Sequence, residues 1–331
     1  MTSRPGQPQS RRPILVTGSP RSGTTWVGKV IAMSPDVFPV YEPMNPDAPH
    51  PLPVASRFQV VTEDGPAALQ RGLADLCQLG DAGFRLRRTA RGLLEAGRAE
   101  HDLCGRLAAA ALRDGASFSA ASRALIKDPL ALYAARWLAT HYDAQLVLTC
   151  REPVGVVSSY LALGWRSDVA ALLGHPIPNE DRALAGALAR RTADGPGDLV
   201  GDLILQWRVL TAKTLWLFGA VPNAILLSHQ ELCRAPHDVF EVVFDRLGLD
   251  YDDRIRQRVS ALTRGSRGAG RRGVQHDHHR DTSKLAEAAR DRLTSSVISR
   301  IEAETGDDWH EVQRVCSPPV SLRARTRRLP S

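Results

Sequence analysis

The run Pro13-Ile14-Leu15-Val16-Thr17 passes directly into Gly18-Ser19-Pro20-Arg21-Ser22-Gly23-Thr24-Thr25, and Thr25-Trp26-Val27-Gly28-Lys29-Val30-Ile31-Ala32-Met33 then has apolar residues at helical spacing. A short apolar strand, a glycine loop and a helix in that order constrain the fold more than any other feature of the chain. Such a loop turns backbone N–H groups onto an anion at the positive end of the helix, so a phosphate-bearing ligand is expected there. The glycines are spaced as in a nucleotide P-loop, but Thr24 stands where that loop carries its lysine, and the cation sits inside the loop as Arg21.

Further strand-length runs are Val37–Tyr41, Ala124–Lys127, Gln145–Cys150 and Ala224–Ser228. Helical patterns at Leu130–Thr140, Val154–Leu163 and His237–Leu247 alternate with them, which predicts an α/β fold with a mostly parallel central sheet. Helical insertions are expected over 65–113 and 180–218, and a last helix over 283–304. Residues 1–12 read as a disordered lead, 13–310 as the folded domain and 311–331 as a basic tail. With 331 residues and 43% hydrophobic content, the chain can bury a core without disulfides or a structural metal. No apolar stretch approaches the roughly 20 residues of a membrane span. Five scattered cysteines without a CxxC pair, and no apolar leader, suit a reducing cytoplasm. The net charge of +7 is carried by arginine, since only Lys29, Lys127, Lys213 and Lys284 are lysines, and guanidinium suits phosphate and sulfate.

Pro20-Arg21-Ser22-Gly23-Thr24-Thr25-Trp26 resembles the phosphosulfate loop, P-[KR]-S-G-T-[TS]-W, of sulfotransferases that use 3′-phosphoadenosine-5′-phosphosulfate (PAPS). The resemblance implies a P-loop-like fold in which Ser22, Gly23, Thr24 and Thr25 hold the 5′-phosphate. It also implies that Arg21 neutralises the leaving oxygen and Trp26 stacks on adenine. Arg at the loop's Lys position is similar to the carbohydrate branch. Arg151, at a strand end, and Ser159, eight positions on, match the family's 3′-phosphate pair. Val37-Phe38-Pro39-Val40-Tyr41-Glu42-Pro43 resembles the strand and "YEP" of carbohydrate 6-O-sulfotransferases, which makes Glu42 the candidate general base. Where the cytosolic branch has a histidine two residues after a lysine, this chain has Lys127 and then Pro129. The histidine is missing, and Lys127 remains to stabilise charge on the transferring sulfonate. Arg271-Arg272-Gly273 is the counterpart of the family's nucleotide-covering loop, and Ser228–Pro236 resembles a scaffold segment.

The resemblance implies PAPS as co-substrate, no metal, and a hydroxyl acceptor, carbohydrate-containing or, as the alternative, a lipid or secondary-metabolite alcohol. His276, His278 and His279 lack a partnering ligand set, and no metal site is assigned to them. A P-loop kinase would need a lysine at Thr24 and a metal-holding Asp. A non-catalytic polyanion or RNA binder would explain the charge without the ordered motifs; a nucleic-acid partner is not expected. The oligomeric state is left open.

Overall fold

The computed structural model describes residues 12–48, 51–78, 123–173, 198–263 and 285–316. Five strands, β1 (Ile14–Gly18), β2 (Val37–Tyr41), β3 (Arg123–Lys127), β4 (Gln145–Cys150) and β5 (Ile225–Ser228), form one sheet in the order β2-β3-β1-β4-β5. β3 pairs in parallel with both β1 and β2. All residues of β1, β3, β4 and β5 are buried, as expected of short apolar runs covered on both faces. The α/β reading with a mostly parallel sheet therefore holds.

The helices among the described residues are α1 (Thr24–Ile31), α2 (Ala67–Cys77), α3 (Ala135–Tyr142), α4 (Pro153–Leu163), α5 (Val169–Leu173), α6 (Leu199–Ala220), α7 (His229–Arg234), α8 (Pro236–Leu247), α9 (Asp253–Thr263), α10 (Leu285–Arg290) and α11 (Ser295–Val315). Two expected helices are divided. Over 130–140 the chain first makes a 3₁₀ helix, Pro129–Tyr133, because Asp128 caps it tightly through the Leu130 N–H and Pro129 opens it; α3 begins only at Ala135. At the C-terminal end the pattern breaks before Thr294, whose hydroxyl caps α11 through the Val297 N–H, and α11 continues past Glu304 to Val315.

The chain divides into two compact units. The first comprises Met1–Thr17, Thr24–Val147 and Val243–Tyr251; the second comprises Gly18–Gly23, Leu148–Val242 and Asp252–Ser331. Ile14, Leu15, Val27, Ile31, Phe38 and Leu125 belong to the fully buried core of the first. In the second, α4, α6 and α11 pack Val157, Tyr160, Leu203, Trp207 and Ile301 together. The loop Gly18–Gly23 is thus counted with the second unit, while the strand before it and the helix after it belong to the first.

Candidate active site

Within the second unit the loop has a strained and specified backbone. Gly18 has φ 146°, and a Cβ there would stand 2.2 Å from the Thr149 carbonyl oxygen; Gly23 has φ 100°. Arg21, which has a side chain to accommodate, also takes a positive φ of 70°. Buried Ser22 holds the turn from inside. Its N–H donates to the Ser19 carbonyl at 3.1 Å, and its hydroxyl lies 2.6 Å from Thr149 Oγ1.

The same unit brings together Arg21, Arg151 and Ser159, three residues singled out in the sequence. Arg21 Nε donates to Ser159 Oγ at 2.8 Å, and Arg151 Nη1 donates to the Arg21 carbonyl at 3.3 Å. Arg21 lies 5.4 Å from the Trp165 ring centroid, and Arg151 Nε is 3.2 Å from Glu152 Oε1. The Trp207 indole N–H donates to the Arg151 carbonyl at 2.9 Å, fixing the strand end. Two arginines held this close repel each other, a cost that a bound anion would relieve.

Missed by the sequence reading as a site neighbour is His229. It opens α7, directly after β5, in the segment read only as scaffold. A Cβ added at Gly23 would meet its Cδ2 at 3.2 Å. Burial, and then the charges of Arg151 and Arg21, push its pKa well below the usual histidine value, so the ring is neutral in the folded chain. Its place after a strand end, like that of Arg151, was the available signal.

Within the first unit, β2 and β3 carry the other half of the chosen residues. Their parallel register sets Tyr41 opposite Lys127, and Glu42, the next residue, donates its N–H to the Lys127 carbonyl at 2.8 Å. Lys127 is 3% exposed, and its Nζ reaches Glu42 Oε1 at 2.5 Å and Thr25 Oγ1 at 3.3 Å. Asn45 Nδ2 donates to the second carboxylate oxygen of Glu42 at 2.8 Å. Glu42 is turned into this pairing by a left-handed φ of 51°. Thr24 and Thr25 open α1, with Thr24 buried, and Trp26 is half-buried on the same helix. Arg271, Arg272 and Gly273, and the histidines after them, lie outside the described residues. Among the described residues, no cluster of three or more His, Cys, Asp or Glu could hold a metal ion. No helix among them is long and apolar enough to cross a membrane.

Residues 13–253 match the sulfotransferase family, and the chain belongs to it. Among solved structures it is similar to the sulfotransferase domain from the Synechococcus PCC 7002 olefin synthase, at 18% identity over 91% of this chain and 98% of that one, with a TM-score of 0.40. It is also similar to the sulfotransferase domain from the curacin biosynthetic pathway, at 16% identity over 89% and 98%, TM-score 0.45. A third likeness is to the sulfotransferase STF9 from Mycobacterium avium, at 18% identity over 91% and 77%, TM-score 0.40. No curated protein matches the sequence. The family assignment rests on the match over residues 13–253.

Proposed function

We propose that the chain transfers the sulfonate of PAPS to a hydroxyl, releasing adenosine 3′,5′-bisphosphate. The observation that carries this reading is the contact of Arg21 with Ser159 and of Arg151 with the Arg21 backbone, which joins a phosphosulfate-type loop to the pair expected for a 3′-phosphate. Ser22, Gly23, Thr24 and Thr25 are assigned to the 5′-phosphate, Arg21 to the bridging oxygen that leaves, and Arg151 with Ser159 to the 3′-phosphate. Trp26 is assigned to adenine, and Arg271, Arg272 and Gly273 to the nucleotide.

In this mechanism Glu42 takes the acceptor's proton as the hydroxyl oxygen attacks sulfur in line, and Lys127 offsets the negative charge that develops on the sulfonate. The ion pair between the two holds the Glu42 carboxylate in a fixed place before the acceptor arrives, with Lys127 Nζ 2.5 Å from Oε1. A carbohydrate-containing acceptor is the first assignment, on the resemblance of Val37–Pro43, and a lipid or secondary-metabolite alcohol is the alternative. A cytoplasmic setting suits a PAPS-using enzyme with reduced, scattered cysteines.

Calorimetry with adenosine 3′,5′-bisphosphate, 5′-AMP and ATP tests the donor. Each charge-assisted phosphate contact contributes about 1.5–3 kcal/mol, so the bisphosphate should bind at least ~10-fold tighter than 5′-AMP, and Arg151→Ala should remove that preference. Equal affinity for all three nucleotides would refute the assignment.

A further inference from the structure

Directly after Lys127 comes a carboxylate that the mechanism above does not use. Asp128 is fully buried. Its Oδ2 accepts the Met44 N–H at 2.6 Å and its Oδ1 accepts the Leu130 N–H at 2.8 Å. Its own N–H donates to the Val16 carbonyl of β1 at 3.0 Å. One residue therefore ties three segments, β1 through its backbone N–H, and the start of the 3₁₀ helix and the turn after β2 through its carboxylate. Met44, also fully buried, lies two residues past Glu42, and the Asn45 N–H donates to the Glu42 carbonyl at 3.1 Å. The turn that carries Glu42 at a left-handed φ is held at its base by the Lys127 carbonyl and at its far side by Asp128.

We propose that Asp128 is a positioning residue: by holding Met44 and Leu130 with its two oxygens, it fixes the strained turn that presents Glu42 to Lys127. Its catalytic consequence rests on the sulfotransferase reading of Glu42; the clamp itself does not. Both oxygens must act as acceptors for the clamp to be complete, which requires the ionised form. Protonation turns one oxygen into a hydroxyl and leaves one N–H without a strong acceptor. Burial first, and then the charge of Glu42, raise this carboxyl to about 7, against the two backbone N–H groups and the Lys127 ammonium, which lower it. The charged groups facing Asp128 are thus Glu42 from the turn and Lys127 from its own strand, with Lys29 of α1 acting electrostatically on Lys127. The clamp closes as pH rises through neutrality.

The test compares the full chain with Asp128→Asn, which keeps the shape but presents an NH₂ group where one N–H needs an acceptor. Hydrogen exchange, corrected for its intrinsic pH dependence, should be faster across Glu42–Asn45 in the variant. In the wild type it should be faster at about pH 6 than at about pH 8. Hydrolysis of PAPS, with water standing in for the acceptor, should rise through about pH 7 in the wild type and be flat and roughly tenfold lower in the variant. Affinity for adenosine 3′,5′-bisphosphate should stay within about twofold. Wild-type exchange across Glu42–Asn45 that does not change with pH would overturn the clamp even if the variant fails to fold. A variant with wild-type exchange or an unchanged pH–rate profile would overturn it as well. Exchange that responds as stated, without any PAPS hydrolysis in the wild type, would sustain the clamp and refute the donor reading instead.

Discussion

Arg21 and Glu42, two residues whose sequence motifs give them roles in chemistry, are non-glycine residues at positive φ. Residues held in that region cost of order 1–3 kcal/mol each, so the surrounding contacts must hold them there. For Glu42 the holding contacts are hydrogen bonds from its own N–H and to both carboxylate oxygens. Such a carboxylate is oriented, and orientation is what a general base needs besides basicity. Glu42→Gln should preserve affinity for adenosine 3′,5′-bisphosphate and lower sulfonate transfer by about 10²–10⁴-fold, since the amide matches the carboxylate in size but cannot take the proton. Turnover of the variant within a few-fold of the parent on a true acceptor would leave Glu42 a structural partner of Lys127. The pairing itself was not legible in the sequence. The two residues are 85 positions apart, and only the parallel register of β2 and β3 makes them neighbours. Asp128 escaped notice for a related reason: a buried carboxylate between Lys127 and Pro129 has no pattern of its own, and its partners are backbone groups.

At the scale of elements, the strands were the most legible feature. Val37–Tyr41 and Gln145–Cys150 have the bounds their runs predict: Gln145–Cys150 is buried throughout, as a short inner strand covered on both faces should be, while Val37–Tyr41 lies at the sheet edge and ends on an exposed Tyr41. The helix expected over 130–140 was less so, since its division depends on the Asp128 cap, which favours a tight first turn. Helix α1 shows a different dependence, on space. A Cβ at Gly28 would stand 2.5 Å from Lys127 Cγ, so α1 comes close to β3 only because this helical position lacks a side chain. Gly28→Ala would gain up to ~1 kcal/mol of helix propensity, while overpacking against a buried side chain costs about 1–3 kcal/mol. Lys127 is nearly fully buried, with its ammonium held by Glu42 and Thr25, and cannot simply swing out. The variant should therefore be less stable by about 1–2 kcal/mol in urea denaturation, and it should lose transfer activity as Lys127 is displaced. A variant as stable as the parent would show that the lysine stem yields without cost.

For the whole molecule, two buried titratable groups respond to acid in opposite directions, one in each unit. Asp128, in the first, has its pKa raised from 3.8 to about 7 by burial. Between these values the folded chain binds this proton and the unfolded chain does not, so stability from Asp128 is fully present below about 4 and is lost as pH rises to about 7. His229, in the second unit, has its pKa pushed well below 6.5, again chiefly by burial. Here the unfolded chain binds the proton, so the contribution is fully present above about 6.5 and is lost as pH falls. Each group changes stability by at most about 1.4 kcal/mol per pH unit, and from about pH 6.5 down toward 4 the two slopes oppose. Removing one should expose the other. Relative to the wild type at each pH, Asp128→Asn should become progressively worse as the solution is acidified, because the wild type gains the relief of protonating Asp128 and the variant does not. His229→Gln should become progressively better, because it escapes the cost of keeping an imidazole neutral. Urea denaturation of the three chains at about pH 6.5 and about pH 5 reads both effects as changes in midpoint. A His229→Gln difference that stays constant across that interval would mean that the imidazole takes up its proton in the folded chain as readily as in the unfolded one, despite standing beside Gly23 and two arginines.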